Sequence, residues 1–139
     1  GIEYVEKTIK EGRTGMMPPM AAAVGTADDV KNVAQYVLSL SGSAHDSVSA
    51  SLGKTKFASC AACHGAEAKG MHALGAPNLT DKVWLHGWGE ATIVAMVNGG
   101  KNNVMPAHAS RLTPEQVRVL AAYVWRLSNG ASARVASNP

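Results

Sequence analysis

The sequence predicts an all-α protein, and three observations predict it. After Thr113, the residues Val117, Leu120, Ala121, Val124 and Leu127 fall on one face at helical spacing. That segment opens with Thr113 as a cap, Pro114 at N1 and Gln116 at N3, and it ends at Gly130. A shorter pattern, Leu52, Lys56/Phe57 and Ala61, predicts another helix running into Cys60-Ala61-Ala62-Cys63-His64.

The other elements follow in chain order. Gly1 lies inside what reads as a helix, and Thr26 caps a helix reaching Leu40. Gly65 and Gly70 break regularity after His64, and Gly75-Ala76-Pro77-Asn78-Leu79 reads as an ordered loop. A short helix is expected from Asp81 to His86, capped by Thr80. Another is expected from Ala91 to Asn98, stopped by Gly99-Gly100. Lys101 to Leu112 has no period and contains Met105-Pro106. The tail at 131–139 is expected to fray.

Composition narrows the class. The 139 residues are 46% hydrophobic, enough for one compact domain or two small ones, but only 5% are aromatic. A core of Ala, Val and Leu is thin, and a bulky apolar cofactor would help to fill it. The 13 basic residues are scattered and the net charge is +3, so no nucleic-acid footprint is present. No apolar run is long enough to span a bilayer and no signal-peptide pattern occurs. An anchoring or targeting segment is expected upstream of Gly1. The two cysteines are too close in sequence for a disulfide framework that closes a long loop.

The first 42 residues repeat the stretch from Glu90 to Asn129. Gly12-Arg13 falls on Gly100-Lys101, and Met17-Pro18 on Met105-Pro106. After a one-residue shift, Thr26 meets Thr113, Val30 meets Val117 and Ala34 meets Ala121. Tyr36-Val37 then meets Tyr123-Val124, and Leu40-Ser41 meets Leu127-Ser128. Two like domains in tandem are expected, the first lacking its front half. On that basis 1–42 is the back half of one domain, 43–50 a Ser-rich linker and 51–130 a whole domain. A half-domain of this size buries too little apolar surface to offset its ordering entropy.

Cys-x-x-Cys-His carries a definite chemistry. Its two thiols, Cys60 and Cys63, add to haem vinyl groups as thioethers, and His64 is then held against the iron. Other chemistries compete. A thioredoxin-like pair wants a strand before it, whereas a helical pattern leads in here. A zinc site wants two more ligands, for which His72 and His86 could stand in. A second axial iron ligand is expected to be Met105, a soft thioether that raises the potential. Core filling is the commoner fate of a lone methionine, but Met105 has polar neighbours Asn102 and Asn103 and lies on no helical stripe. Pro106 stiffens the chain beside it.

The pocket can be filled in around these ligands. The Pro77 carbonyl is the candidate acceptor for the other ring nitrogen of His64. Leu79 and Val83 would pack on the haem face. Trp84 would donate its indole N–H to a propionate, or else be plain core. Gly53 and Phe57, with Leu120, Tyr123 and Val124, suggest that the leading and final helices cross at the glycine. His72, His86 and His108 are rival ligands, most simply solvated loop histidines. His108 is close enough to Met105 that its ligation would lower the potential.

Cys60-to-Gly65, Gly75-to-Asp81, Val83-to-Gly87, Val104-to-Ala107 and Leu120-to-Val124 together resemble class I cytochrome c domains. More narrowly, they resemble the dihaem cytochrome c subunit, subunit III, of cbb3-type cytochrome c oxidase. The resemblance spans Leu52 to Asn129 and implies the class I cytochrome c fold, preceded by the back half of a truncated domain. It implies one covalent haem c in this chain and a second in the intact parent, whose distal ligand would be Met17, with Met16 and Met20 as alternatives. Met17 is expected to bind no iron in this chain. The resemblance also implies other oxidase subunits and a small electron-donor cytochrome as partners. It implies a membrane anchor upstream and a location on the periplasmic face of the bacterial inner membrane. Ala68 and Met71 depart from a Gly and a small polar residue usual in the family, and His86-Gly87-Trp88-Gly89 departs from Tyr-Gly-Gly.

The function expected is single-electron transfer toward the oxidase core, with no catalytic residue of the chain's own. Two alternatives stay open. One is a dihaem cytochrome serving a dehydrogenase or another respiratory complex. The other is a gas sensor or peroxidase with a labile distal ligand, although no acid–base pair is evident near Met105. A plain thiol–disulfide or metal-binding module would be colourless.

Overall fold

The computed structural model describes residues 1–130; the tail expected to fray lies outside the described residues. Among the described residues the chain is mostly helical: α1 (Ile2–Glu11), α2 (Ala21–Val24), α3 (Ala27–Leu40), α4 (Ser47–Lys56), α5 (Ala58–His64), α6 (Glu90–Gly99) and α7 (Pro114–Asn129). A 3-10 turn covers His72–Leu74, and two strands, β1 (Arg13–Met17) and β2 (Lys101–Met105), pair as a small sheet. This composition is compatible with a cytochrome c fold.

Local signals explain most of the helices. Thr26 and Thr113 each close a capping box, with Asp29 and Gln116 returning to the cap N–H at 2.9 and 2.8 Å. Asp46 caps α4 by accepting from the Ser49 N–H at 2.7 Å. The helix therefore starts at Ser47, inside the stretch expected to be linker. Phe57 then separates α4 from α5, where one helix was expected.

Two expectations fail on local chemistry. No helix forms from Asp81 to His86. The Asn78 side chain accepts from the Thr80 N–H at 2.9 Å, and Asp81 accepts from the Val83 N–H at 2.9 Å. These Asx turns satisfy backbone donors that a helix start would use. The strands were also unexpected in the segments around Met17 and Met105. Gly12 and Gly100 end α1 and α6 with φ of 72° and 69°, and an extended segment follows each. A Cβ on Gly12 would meet the Ala107 nitrogen at 2.7 Å, and one on Gly100 would meet the Met17 carbonyl at 2.6 Å. Glycine is required at both for positive φ and for close approach.

The chain forms two compact units. One comprises Gly15–Asn103; the other combines Gly1–Thr14 with the described residues from Val104 to Gly130. These groupings cut across the two sequence copies. In the larger unit, α3 of the first copy packs against α4, and both build a core with α6 around Val30, Val33, Val37, Phe57, Ile93 and Val97. The smaller unit is α1 on α7, with Ile9, Val117 and Ala121 buried together.

The helix that meets Gly53 is therefore α3, where α7 was expected. A Cβ on Gly53 would stand 2.7 Å from the Val33 nitrogen, and the Phe57 ring sits edge-on to Tyr36 at 5.2 Å. Leu120, Tyr123 and Val124 of α7 remain 39%, 61% and 43% exposed. Polar contacts unique to α3 account for the choice. Gln35 donates to Glu90 and accepts from the Asp46 N–H, and Asp29 pairs with Lys56 at 3.3 Å. In the repeat register Ala122 and Gln116 stand at those places on α7.

Candidate haem-binding site

The site is built on α5, less than two turns long. Positions three and four apart share a helix face, so Cys63 and His64 lie beside Cys60. Cys60 and His64 are buried and Cys63 is exposed, and neither cysteine forms a disulfide. Burial, with Cys63 nearby, pushes the Cys60 thiol up, the opposite of what a reactive thiolate needs.

The loop after α5 positions the ring of His64. Gly65, with φ 81°, ends the helix, and the Gly70 N–H donates back to the His64 carbonyl at 2.8 Å. A Cβ on Gly70 would stand 2.6 Å from the Ala76 carbonyl oxygen, so this loop closes only on glycine. Ala68, buried with φ 56°, takes the left-handed conformation where the resembled family usually has Gly, and its carbonyl accepts from the Leu79 N–H at 2.8 Å. The result sets the Pro77 carbonyl 3.0 Å from His64 Nδ1, the contact expected from the sequence. A carbonyl only accepts, so Nδ1 carries the proton and Nε2 has a free lone pair for a metal.

Cys60, Cys63 and His64 open onto a cavity of about 220 Å³. Val33 and Val37 of α3, Phe57, Ile93 and Val97 of α6, and Leu79 and Trp84 line it. Val83 also reaches it, although mostly exposed. The α3 and α6 residues are pocket residues that the sequence reading missed. The repeat register carries the signal for two of them, because Val33 and Val37 match Leu120 and Val124.

Met16, Met17, Met20 and Met96 line the cavity, Met17 half-buried at the end of β1; Met105 is not among the lining residues. The reason is the packing of α3 on α4, which brings the Met-Pro segment preceding α3 to the cavity. Met16 and Met20 line it as well, but Met16 is largely exposed and Met20 is tied by its backbone to Val97 O at 2.8 Å.

The rival histidines separate. His86 is exposed at the cavity mouth and His72 is exposed in the 3-10 turn. His108 is half-buried, with its Nδ1 enclosed and no hydrogen-bond partner, so it is not the solvated loop residue expected. Among the described residues no cluster of three or more His, Cys, Asp or Glu is placed to hold a metal ion, which gives a zinc site no support. The residues present fit a haem c. Two thiols and an adjacent histidine with a free Nε2 face an apolar cavity that also holds a thioether.

Comparison with known proteins agrees with the geometry. Residues 51–124 match the family model described as cytochrome c oxidase, cbb3-type, subunit III. A cbb3-type cytochrome c oxidase subunit CcoP of Rubrivivax gelatinosus is 64% identical over 126 residues, covering 91% of this chain and 41% of the relative. A subunit FixP of Azorhizobium caulinodans is 44% identical over 86% of this chain and 41% of its own length. A CcoP of Cereibacter sphaeroides is 40% identical over 88% and 43%. The chain thus spans about two fifths of the length of these curated relatives.

Proposed function

Because the chain belongs to the family of cbb3-type cytochrome c oxidase subunit III, we propose that it carries single electrons through a covalently attached haem c toward the catalytic subunit of such an oxidase. The observation that carries this reading is the His64 ring, held by the Pro77 carbonyl beside Cys60 and Cys63 in an apolar cavity that also holds Met17. Haem iron, when bound, supplies the one-electron redox couple. Cys60 and Cys63 would hold the group through thioethers, and His64, through Nε2, and Met17, at the end of β1, would bind its iron. Leu79, Val33, Val37 and Ile93 line the cavity and would exclude water from the group, which favours the less charged state of its iron. Val83, Leu85 and Trp88 are exposed, and Val83 and Leu85, which line the cavity, form the edge through which a partner would approach.

The chain acts as an electron-transfer part and has no catalytic residue of its own. The repeat supports 1–42 as the back half of a first cytochrome c domain, 43–50 as the connection and 51–130 as the second domain in sequence order. The longer protein would then carry a second haem, a membrane anchor in another part of its chain and a periplasmic location. No helix among the described residues is long and apolar enough to cross a membrane. The other oxidase subunits and a small donor cytochrome are the partners.

The test is to make the chain in a host that attaches haem and record its intact mass and its spectra. The expected result is one covalent haem and a methionine–iron charge-transfer band that Met17→Ala weakens. A reduced protein that binds carbon monoxide at neutral pH would replace electron transfer with ligand binding.

A further inference from the structure

The cavity beside Cys60, Cys63 and His64 is apolar over most of its wall, and its polar side chains sort by what already holds them. Neither α3, through Val33 and Val37, nor α6, through Ile93, Met96 and Val97, brings a titratable group to it. On α5, Ser59 donates to the Ala23 carbonyl at 3.2 Å, and the two cysteines and His64 are the groups assigned to the haem. In the loop after α5, the Asn78 side chain accepts from the Thr80 N–H and hydroxyl, and Asp81 accepts from the Val83 N–H at 2.9 Å. His86, Lys101 and Asn103 remain. All three line the cavity, and their side chains make no hydrogen bond or ion pair among the described residues.

These three differ in how they can answer a change of charge inside the cavity. Lys101 and Asn103 stand two apart on β2, the spacing that puts side chains on one face of a strand, so a cation and an amide share that wall. A lysine ammonium keeps its charge across the neutral range, so Lys101 biases the site equally at every pH there. Histidine is the side chain whose charge changes between about pH 5 and 8. His86 is exposed at the cavity mouth, where its ring exchanges protons with water. The neighbouring charges are accounted for. Asp81 is held by the Val83 N–H, Lys82 is exposed outside the lining, and Glu90 at the start of α6 accepts from Gln35. His45, near Trp88 through Ser43, meets the Ser43 carbonyl through Nδ1 at 2.8 Å and does not line the cavity.

We propose that His86 is a redox-linked proton site, taking up a proton from water as the iron held in this cavity takes up an electron. The inference rests on the haem reading above. One electron arrives from the donor protein and removes one unit of positive charge from the enclosed centre. The protonated imidazole is then repelled less, so the proton affinity of His86 rises on reduction, roughly threefold or more for charges near a solvent-exposed surface. The only bond that forms is N–H on the imidazole, and it breaks again when the electron leaves. The midpoint potential therefore falls as pH rises through the histidine range and is level on either side of it.

The experiment is a redox titration of the haem-loaded chain from about pH 5 to 9, with His86→Gln, His45→Gln and Lys101→Gln alongside and intact mass recorded for each. The potential of the unaltered chain and of His45→Gln should fall with pH across the histidine range. His86→Gln should keep the methionine–iron band and give a flat curve, whereas Lys101→Gln should lower the whole curve and keep its slope. The His86 ring signals in nuclear magnetic resonance should titrate at higher pH in the reduced chain than in the oxidised one. A flat curve in the unaltered chain, or a slope that survives His86→Gln, overturns the proton site and leaves the haem reading standing. A chain whose mass shows no covalent haem overturns the haem reading itself, and the proton site falls with it.

Discussion

Gly53 shows how much one residue decides. It is buried on α4 directly against the backbone of α3, where a Cβ would meet the Asn32 carbonyl and the Val33 nitrogen. The obstacle is main chain and cannot rotate away, so a methyl forces α4 outward from Val33 and Val37. Gly53→Ala should lower stability by about 1–3 kcal/mol, the usual range for overpacking. Thermal melts compared with Gly42→Ala test this, since a Cβ on Gly42 would meet nothing within 4 Å, although its φ of 68° adds some backbone strain of its own. Equal losses in the two variants would show that the contact is slack. His64 and Pro77 are a second single-residue device. The proline sits where no helix or ladder uses its carbonyl, and that oxygen sets the tautomer of the ring.

At the scale of elements, α3 and α7 begin alike but differ in their acidic partners. Asp29 closes the box at the start of α3 and also pairs with Lys56 of α4. Its carboxyl is held below the ordinary aspartate value of 3.8, first by the Thr26 backbone N–H and then by the Lys56 and Thr26 side chains. A carboxyl depressed on folding adds stability that is complete above its unfolded value and is lost as pH falls through the folded one. The contribution of Asp29 should therefore begin to fall near pH 4 and vanish only below its depressed folded value. Asp29→Asn is expected to destabilise the larger unit at neutral pH and to flatten the acid side of its stability profile. Denaturant melts of both proteins from pH 7 downward measure this; parallel curves at every pH would mean that the carboxylate is merely solvated. Glu115 is likewise lowered by its own backbone N–H and by the Thr113 side chain.

Over the whole molecule, the packing of α3 in the larger unit is reinforced by a few long-range polar contacts. Gln35 reaches both Glu90 of α6 and the backbone of Asp46 before α4, while its counterpart Ala122 offers neither bond. A net hydrogen bond is worth about 1 kcal/mol, or roughly fivefold in a two-state population. Gln35→Ala should therefore destabilise the larger unit by about 1–2 kcal/mol, read as a lower denaturant midpoint. An unchanged midpoint would show that the Gln35 bonds add no net stability.

The sequence by itself determined the parts. The two capped helices follow from Thr26 and Thr113 with their N3 partners, because these signals act within one turn. Cys60, Cys63 and His64, with Pro77 as the acceptor for the ring, were legible because side-chain chemistry and a proline's spare carbonyl are local properties. The repeat was legible from register alone. Tertiary structure decided the assembly. It set α3 rather than α7 on Gly53, brought Met17 rather than Met105 to the cavity, and paired β1 with β2. The physical reason is degeneracy: two segments carry the same cap, the same Met-Pro and the same apolar face, so no local signal tells which of them closes the haem-bearing half. Contacts between residues far apart in the chain, Gln35 with Glu90 and Asp29 with Lys56, break that tie.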